Sequence, residues 1–200
     1  NIGERMLVSD QYKTIFIHIN KAGGTSIEHV LRPGALFKKH YMTAREIRDI
    51  VGDKWDKYFK FAMVRNPWDK MASLYRYRKG INLIPSSWSF FEFINKLDTL
   101  NNESPSESRR NLLRTTNQLE HCIDDDGNVI LDYIGRFEDF KGSWKKISKK
   151  IGFKKPLPHV KATKKRQHYS KYYTDELRDI VADRFANDIE YFGYKFKDKR

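Results

Sequence analysis

Residues 14–19 (TIFIHI) run directly into Asn20-Lys21-Ala22-Gly23-Gly24 and then into residues 25–31 (TSIEHVL). The first stretch is apolar and rich in β-branched residues, the composition of a buried strand. The second is a turn. The third opens a helix, with Thr25 or Ser26 available as its cap and Pro33-Gly34 to stop it. A buried strand that feeds a helix through a glycine turn is the feature that most restricts the fold, because it asks for a sheet with helices packed on it. The same segment is an anion-binding architecture. Glycines let the backbone approach a phosphate, the N–H groups of the helix start point at it, and the helix dipole favours negative charge. Lys21 adds a mobile ammonium, and Thr25 and Ser26 add hydroxyl donors. A nucleotide-triphosphatase loop would read GxxxxGK[ST], with lysine after the glycines. Lys21 precedes Gly23 and Gly24, so that loop is disfavoured. Taken alone, the segment is also compatible with a plain glycine turn.

A second unit of the same kind follows. Lys60–Val64 (KFAMV) is a strand, Asn66-Pro67 breaks it, and Trp68–Lys79 is expected to be a helix. The strand delivers Arg65 at its carboxyl end, where open α/β sheets bind ligands. Arginine can fork two donors onto a phosphate, and Ser73, further along the helix, adds a hydroxyl. Thr43–Val51 has helical periodicity, with Thr43 and Glu46 spaced as a capping box. Ser143–Ile151 is expected to be a short basic helix ended by Gly152. Thr174–Phe192 is the clearest amphipathic helix, with Leu177, Ile180, Val181, Phe185, Ile189 and Phe192 on one stripe. Val129–Ile134 is strand-like. Asn101–Ser108 is expected to be a loop, and the basic stretch Pro156–Ser170 has no periodicity. Repeated strand–turn–helix units imply a three-layer α/β fold with a central parallel sheet flanked by helices.

The chain has 200 residues, the size of one domain. Residues 1–200 are expected to form that domain, with residues 1–12 as an extension ahead of the first strand. Lys and Arg total 39 against 26 Asp and Glu, a net charge of +13. That balance favours anionic partners without choosing among nucleic acid, acidic membranes, polyanions and phosphorylated small molecules. Cys122 is the only cysteine, which excludes an intrachain disulfide and a cysteine-rich zinc site. No apolar run approaches the roughly 20 residues of a membrane span. As given, the chain is expected to be soluble and cytoplasmic if complete; an anchor upstream on a longer chain would leave the same picture.

The order Lys-x-Gly-Gly-Thr-Ser after His18-Ile19-Asn20 resembles the 5′-phosphosulfate loop of the sulfotransferases that use 3′-phosphoadenosine-5′-phosphosulfate (PAPS). It is most similar to the family of carbohydrate 2-O-sulfotransferases and small bacterial sulfotransferases. Their pattern is His-Ile-Pro-Lys-x-Gly-Gly-Thr-Ser, and Asn20 stands where it has proline. Val64-Arg65-Asn66-Pro67-Trp68-Asp69-Lys70-Met71-Ala72-Ser73-Leu74-Tyr75 resembles the family's 3′-phosphate motif, Val-Arg-Asn-Pro-x-x-Arg-x-x-Ser-x-Tyr. Arg65 and Ser73 match, and Lys70 replaces the second arginine. Gly135-Arg136-Phe137-Glu138 resembles the family's Gly-Arg-Phe-Glu segment. Leu157-Pro158-His159, Tyr169, Tyr172-Tyr173 and Asp188-Ile189-Glu190…Gly193-Tyr194 resemble its C-terminal signature.

The resemblance implies a P-loop-like version of the three-layer fold and transfer of a sulfuryl group from PAPS to an acceptor hydroxyl, leaving PAP. The acceptor it points to is a glycan, and no metal is required. It places Lys21, Ala22, Gly23, Gly24, Thr25, Ser26, Arg65 and Ser73 on the nucleotide, with Lys21 also touching the oxygen between sulfur and phosphate. Lys164, in the basic run Lys161–Arg166, would reach the 3′-phosphate or an anionic acceptor, unless that run is a solvated loop. Gln118 falls at a glutamine-bearing position of the family.

In-line displacement at sulfur needs a base for the acceptor hydroxyl, and histidine suits that role. His18 lies within an apolar strand and is expected to support core or loop. His29 sits inside the first helix. His40 lies in a connection past the cradle, in a segment resembling the one that carries the family's proposed general base. His40 is the expected base, with His29 or Glu28 of the first helix as alternatives. A P-loop-like nucleotide kinase would need a lysine after the glycines and a magnesium carboxylate on a strand. A nucleic-acid-binding module would show a helix-turn-helix or RNP-type signature. None of these is evident.

Overall fold

The computed structural model describes residues 5–39, 42–101, 115–155, 157 and 167–200. The chain divides into two compact units, each assembled from two stretches of sequence. One draws on Asn1–Val64 and Gln118–Thr163, the other on Arg65–Asn117 and Lys164–Arg200.

The first unit is built on a five-stranded sheet. Its strands are β1 (Arg5–Ser9), β2 (Thr14–Ile17), β3 (Leu36–Lys39), β4 (Phe59–Val64) and β5 (Tyr133–Arg136), in the spatial order β3-β1-β2-β4-β5. β2, β4 and β5 are parallel, with Phe16 opposite Phe61 and Ala62 opposite Ile134. β1 pairs antiparallel with both β2 and β3, so the expected parallel sheet is extended on one side by antiparallel strands. Every residue of β2, and Lys60–Val64 of β4, is buried. Strands buried at consecutive positions are covered on both faces, as parallel sheets require. The Phe16 and Phe61 rings stack across the pair at 5.0 Å.

β1 lies within the stretch expected to be an extension ahead of the domain. Its hairpin to β2 contains no glycine; Lys13 takes the left-handed position, with φ of 44°, so the usual turn signal is missing. Among the described residues this unit has four α-helices: α1 (Gly24–Leu31), α2 (Ala44–Val51), the single turn α3 (Lys54–Lys57) and, after β5, the basic helix Phe140–Ile151. The Thr43–Glu46 capping box forms as expected. Gly152 ends the basic helix in a left-handed conformation, φ 72°. The strand-like Val129–Ile134 contributes only one isolated bridge, Ile123 to Val129, before β5 begins.

The second unit is helical. Its main elements are α4 (Pro67–Gly80), α5 (Phe90–Asn95), α6 (Leu97–Asn101), and the two helices Asp175–Arg184 and Ala186–Phe192. In chain order the helix Phe140–Ile151 is α7, and these last two are α8 and α9. Tyr75, Phe90, Phe93, Tyr172 and Tyr173 form one aromatic cluster, with Phe90 and Tyr173 at 4.9 Å. Such pairs contribute about 0.5–1.5 kcal/mol beyond area burial. The single amphipathic helix expected over Thr174–Phe192 is two helices. Phe185 leaves helical geometry (φ −113°, ψ 30°) and is fully buried. The second helix then buries Asp188 and Phe192 rather than continuing the stripe through Ile189. The break contains neither glycine nor proline, so periodicity alone runs straight through it.

Candidate functional site

In the first unit, β2 ends at Ile17 and the chain turns through Asn20–Gly23 into α1. Lys21 has φ of 64° and Gly23 φ of 85°. Left-handed backbone is ordinary for glycine but costs other L-residues about 1–2 kcal/mol, so the strained position is the lysine. Gly23, and not Thr25 or Ser26, is the helix cap. No side chain caps the first turn of α1 and no acid lies in it, leaving its N–H groups and positive dipole end for an anion. Lys21, Thr25 and Ser26 are half-buried, while Ala22 and Gly24 are buried.

What packs beneath the loop explains the glycines. A Cβ on Gly23 would come within 2.8 Å of the Phe140 ring and 2.9 Å of Phe137, and one on Gly24 would run into the imidazole of His18. Phe137 and Phe140 meet edge to face at 6.1 Å. The segment resembling Gly-Arg-Phe-Glu thus supplies a floor for the cradle. His18, 3 % exposed, stacks on Phe16 at 5.2 Å and presents Nδ1 to the buried Glu28 carboxylate at 3.6 Å. His18 is a loop support, and Glu28 faces it. His29 is exposed on α1.

In the second unit, Arg65 is the residue that follows β4. Its Nε and Nη2 both donate to Asp69 Oδ2, at 2.8 and 2.7 Å. Asn66 caps α4 by accepting from the Trp68 N–H at 3.1 Å, and Pro67 occupies the first helical position, where a missing N–H costs nothing. The Asn66 amide donates to the Lys195 carbonyl at 3.0 Å. The Trp68 indole donates to the Arg178 carbonyl at 2.9 Å, and the Tyr173 hydroxyl to the Trp68 carbonyl at 2.8 Å. The C-terminal segment therefore clamps the start of α4. Ser73 follows two turns on, 3 % exposed.

Lys70, at the position of the family's second arginine, turns inward. It is fully buried, with Nζ 3.4 Å from the Thr116 carbonyl and 5.4 Å from the centre of the Phe185 ring. Burial pushes its pKa down from 10.5 to about 8, opposed by the charge of Asp188. It belongs to the packing of this unit. Gln118 is likewise fully buried, its carbonyl accepting from the N–H of His121 at 3.1 Å. His168 caps the turn Tyr169–Tyr172, with Nδ1 2.9 Å from Ser170 Oγ.

His40 and Lys164 lie outside the described residues, as do most of Asn101–Ser108 and the run Lys161–Arg166. Among the described residues no group of three His, Cys, Asp or Glu could hold a metal. No described helix is long and apolar enough to cross a membrane. A cavity of about 800 Å³ opens where β2, β4 and β5 begin, lined by Lys13, Lys60, Lys146 and Lys150 among others. Among the described residues, none of the expected site residues lines it.

Sequence reasoning missed Asp69 and the floor residue Phe140. Asp69 was detectable as the i,i+4 partner of Arg65; Phe140 carries no local signal.

These features agree with what comparison finds. The model of the sulfotransferase family matches residues 4–195, and the chain belongs to that family. An uncharacterised protein of Archaeoglobus fulgidus is 34 % identical over 124 residues, which span 58 % of this chain and 87 % of the relative. No solved structure matches the chain.

Proposed function

We propose that the protein transfers a sulfuryl group from PAPS to an acceptor hydroxyl, with a carbohydrate as the acceptor that the resemblance favours. The carrying observation is the loop Asn20–Ser26. It places two left-handed residues and an uncapped, acid-free helix start behind a buried strand, over a floor that admits no side chain at Gly23 or Gly24. A phosphate or phosphosulfate fits such a cradle, because backbone N–H groups reach it only where Cβ atoms are absent. Bound PAPS would supply a sulfuryl group already activated on a phosphate leaving group. Lys21, Thr25 and Ser26 are the side chains that would hold the 5′ end, and Lys21 would offset charge gathering on the leaving oxygen. Arg65 and Ser73 would hold the 3′-phosphate. His40, by resemblance, takes the acceptor proton.

Calorimetric titration with PAP and with ATP tests the donor. PAP should bind and raise Tm, since a ligand of the native state must stabilise it, and ATP should bind more weakly. Arg65→Ala should weaken PAP by about 2–5 kcal/mol, as loss of a buried charge partner does, and adenosine 5′-phosphosulfate much less. Absence of PAP binding at low salt defeats the proposal. Transfer from labelled PAPS to a panel of glycans, phenols and peptides identifies the acceptor.

A further inference from the structure

Arg76 has no assigned part in the site, yet it lies on the face of α4 that carries the motif. Asp69, Ser73 and Arg76 are spaced i, i+4, i+7, so they line one side of the helix that begins just after Arg65. The Arg76 guanidinium lies over the ring of Tyr172, 5.4 Å from its centre. Its Nε and Nη1 atoms are sealed from solvent and have no hydrogen-bond partner. The residue as a whole is half-buried.

This is an unusual state for an arginine. Buried donors are nearly always satisfied. Arginine cannot escape by losing its proton, and an unpaired buried charge is destabilising. Asp69 is committed elsewhere, because one of its oxygens takes two donors of Arg65. The phenol of Tyr173, buried and raised well above its ordinary pKa chiefly by that burial, senses the charges of both Asp69 and Arg76; the three therefore share one neighbourhood. Lys70, the other cation that sequence places at this motif, is turned into the packing and cannot serve. A guanidinium offers two forks, side-on through Nε and end-on through Nη1. In Arg76 each fork contains an unmet donor.

We infer that Arg76 is a ligand of the nucleotide's 3′-phosphate, acting beside Arg65 and Ser73 and taking the part that Lys70 has given up, an assignment that rests on PAPS being the donor. The unliganded protein leaves two guanidinium donors sealed from water without a hydrogen-bond partner, and binding that turns them to the phosphate relieves that cost.

The test compares wild type with Arg76→Met, which keeps the apolar packing on Tyr172, and Arg76→Lys, which keeps the charge without the fork. Dissociation constants for PAP and for adenosine 5′-phosphate, which lacks the 3′-phosphate, are measured by calorimetry alongside Tm without ligand. Arg76→Met should raise the PAP constant 10- to 100-fold, the scale of one charge-assisted phosphate contact. It should change the adenosine 5′-phosphate constant less than about twofold and leave the ligand-free Tm unchanged or higher. Arg76→Lys should fall between wild type and Arg76→Met. Equal weakening of both ligands, unchanged PAP binding, or a clear fall in ligand-free Tm in Arg76→Met would each overturn the role. Wild-type protein that binds neither nucleotide overturns the donor assignment along with it; wild-type binding that is indifferent to Arg76 overturns this role alone.

Discussion

Lys21 and Asn66 each stand just past a buried parallel strand and just ahead of a helix, and the chain is shaped differently around them. At Lys21 the backbone does the shaping. Two residues are left-handed, the helix has no side-chain cap, and aromatic rings press against glycines that have no room for a Cβ. At Asn66 side chains do it. An amide caps the helix, a proline fixes its first turn, Arg65 is braced by Asp69, and the C-terminal segment holds Asn66 and Trp68. Backbone recognition suits the end of an anion whose position must be fixed closely, because amide groups cannot swing away. Side-chain recognition can be rebuilt by substitution, and the inward Lys70 stands at the position where the resembling motif has an arginine.

Substitutions that separate the two modes should rank by what each disrupts: a buried charge, a crowded backbone turn, or a helix cap. The largest effect belongs to Lys70→Met. It removes a fully buried cation whose charge acts on the fully buried Asp188, and leaving that carboxylate less compensated costs on the order of 3 kcal/mol. Denaturant unfolding should show that loss, with partial recovery in Lys70→Met/Asp188→Leu. The wild type should also carry a pH signature. Because the folded pKa of Lys70 is about 8 and its ordinary value is 10.5, the unfolded chain binds more protons between those values. The Lys70 contribution to stability therefore rises with pH across that window, and Lys70→Met should flatten the rise. A profile identical in both proteins would mean that Lys70 does not titrate there.

Next in size is Gly23→Ala. A left-handed alanine against Phe137 and Phe140 should lower stability by about 1–3 kcal/mol, while Gly34→Ala, also left-handed but with open space around it, should cost less. Equal losses would show that the floor is irrelevant and only φ matters. The smallest effect is expected at Asn66→Ala, about 1 kcal/mol for a lost helix cap, with Asn66→Asp close to wild type. A cost well above this would mean that the amide's bond to Lys195, which aspartate cannot donate, matters more than the cap.

Where a residue's neighbours in sequence decide its conformation, the chain was legible. The Thr43–Glu46 box, Gly152, the strand Phe59–Val64 and the turn at Asn66-Pro67 stand where pattern placed them, because caps, breakers and buried runs act locally. Partners brought from afar were not legible. Phe137 and Phe140 beneath Gly23, the Asp188 charge acting on Lys70, and Lys195 on Asn66 each join residues that no spacing connects. Breaks without punctuation were also hidden: Lys13 makes a left-handed turn without glycine, and Phe185 interrupts a helix without proline. At the candidate site the glycine turn between strand and helix was legible, but its cap was not, since Gly23 stands where Thr25 or Ser26 was expected. The arginine pair was only half legible, since Arg76 gains meaning from the donors it leaves unmet.

The floor beneath Gly23 has a consequence for biosynthesis. Gly23 leaves the ribosome about 114 residues before Phe137, an interval on the order of 6–23 s at typical elongation rates. During it the glycine turn has no aromatic support, and β4 has no β5 to pair with along one edge. A nascent chain of this length therefore holds an unsupported glycine turn and an open sheet edge, the exposed surface that chaperones recognise. Closing so long a loop delays the contact between Gly23 and its aromatic floor. Synonymous changes that alter translation speed between the codons for Gly23 and Phe140 should accordingly affect the yield of folded protein more than equal changes after Phe140.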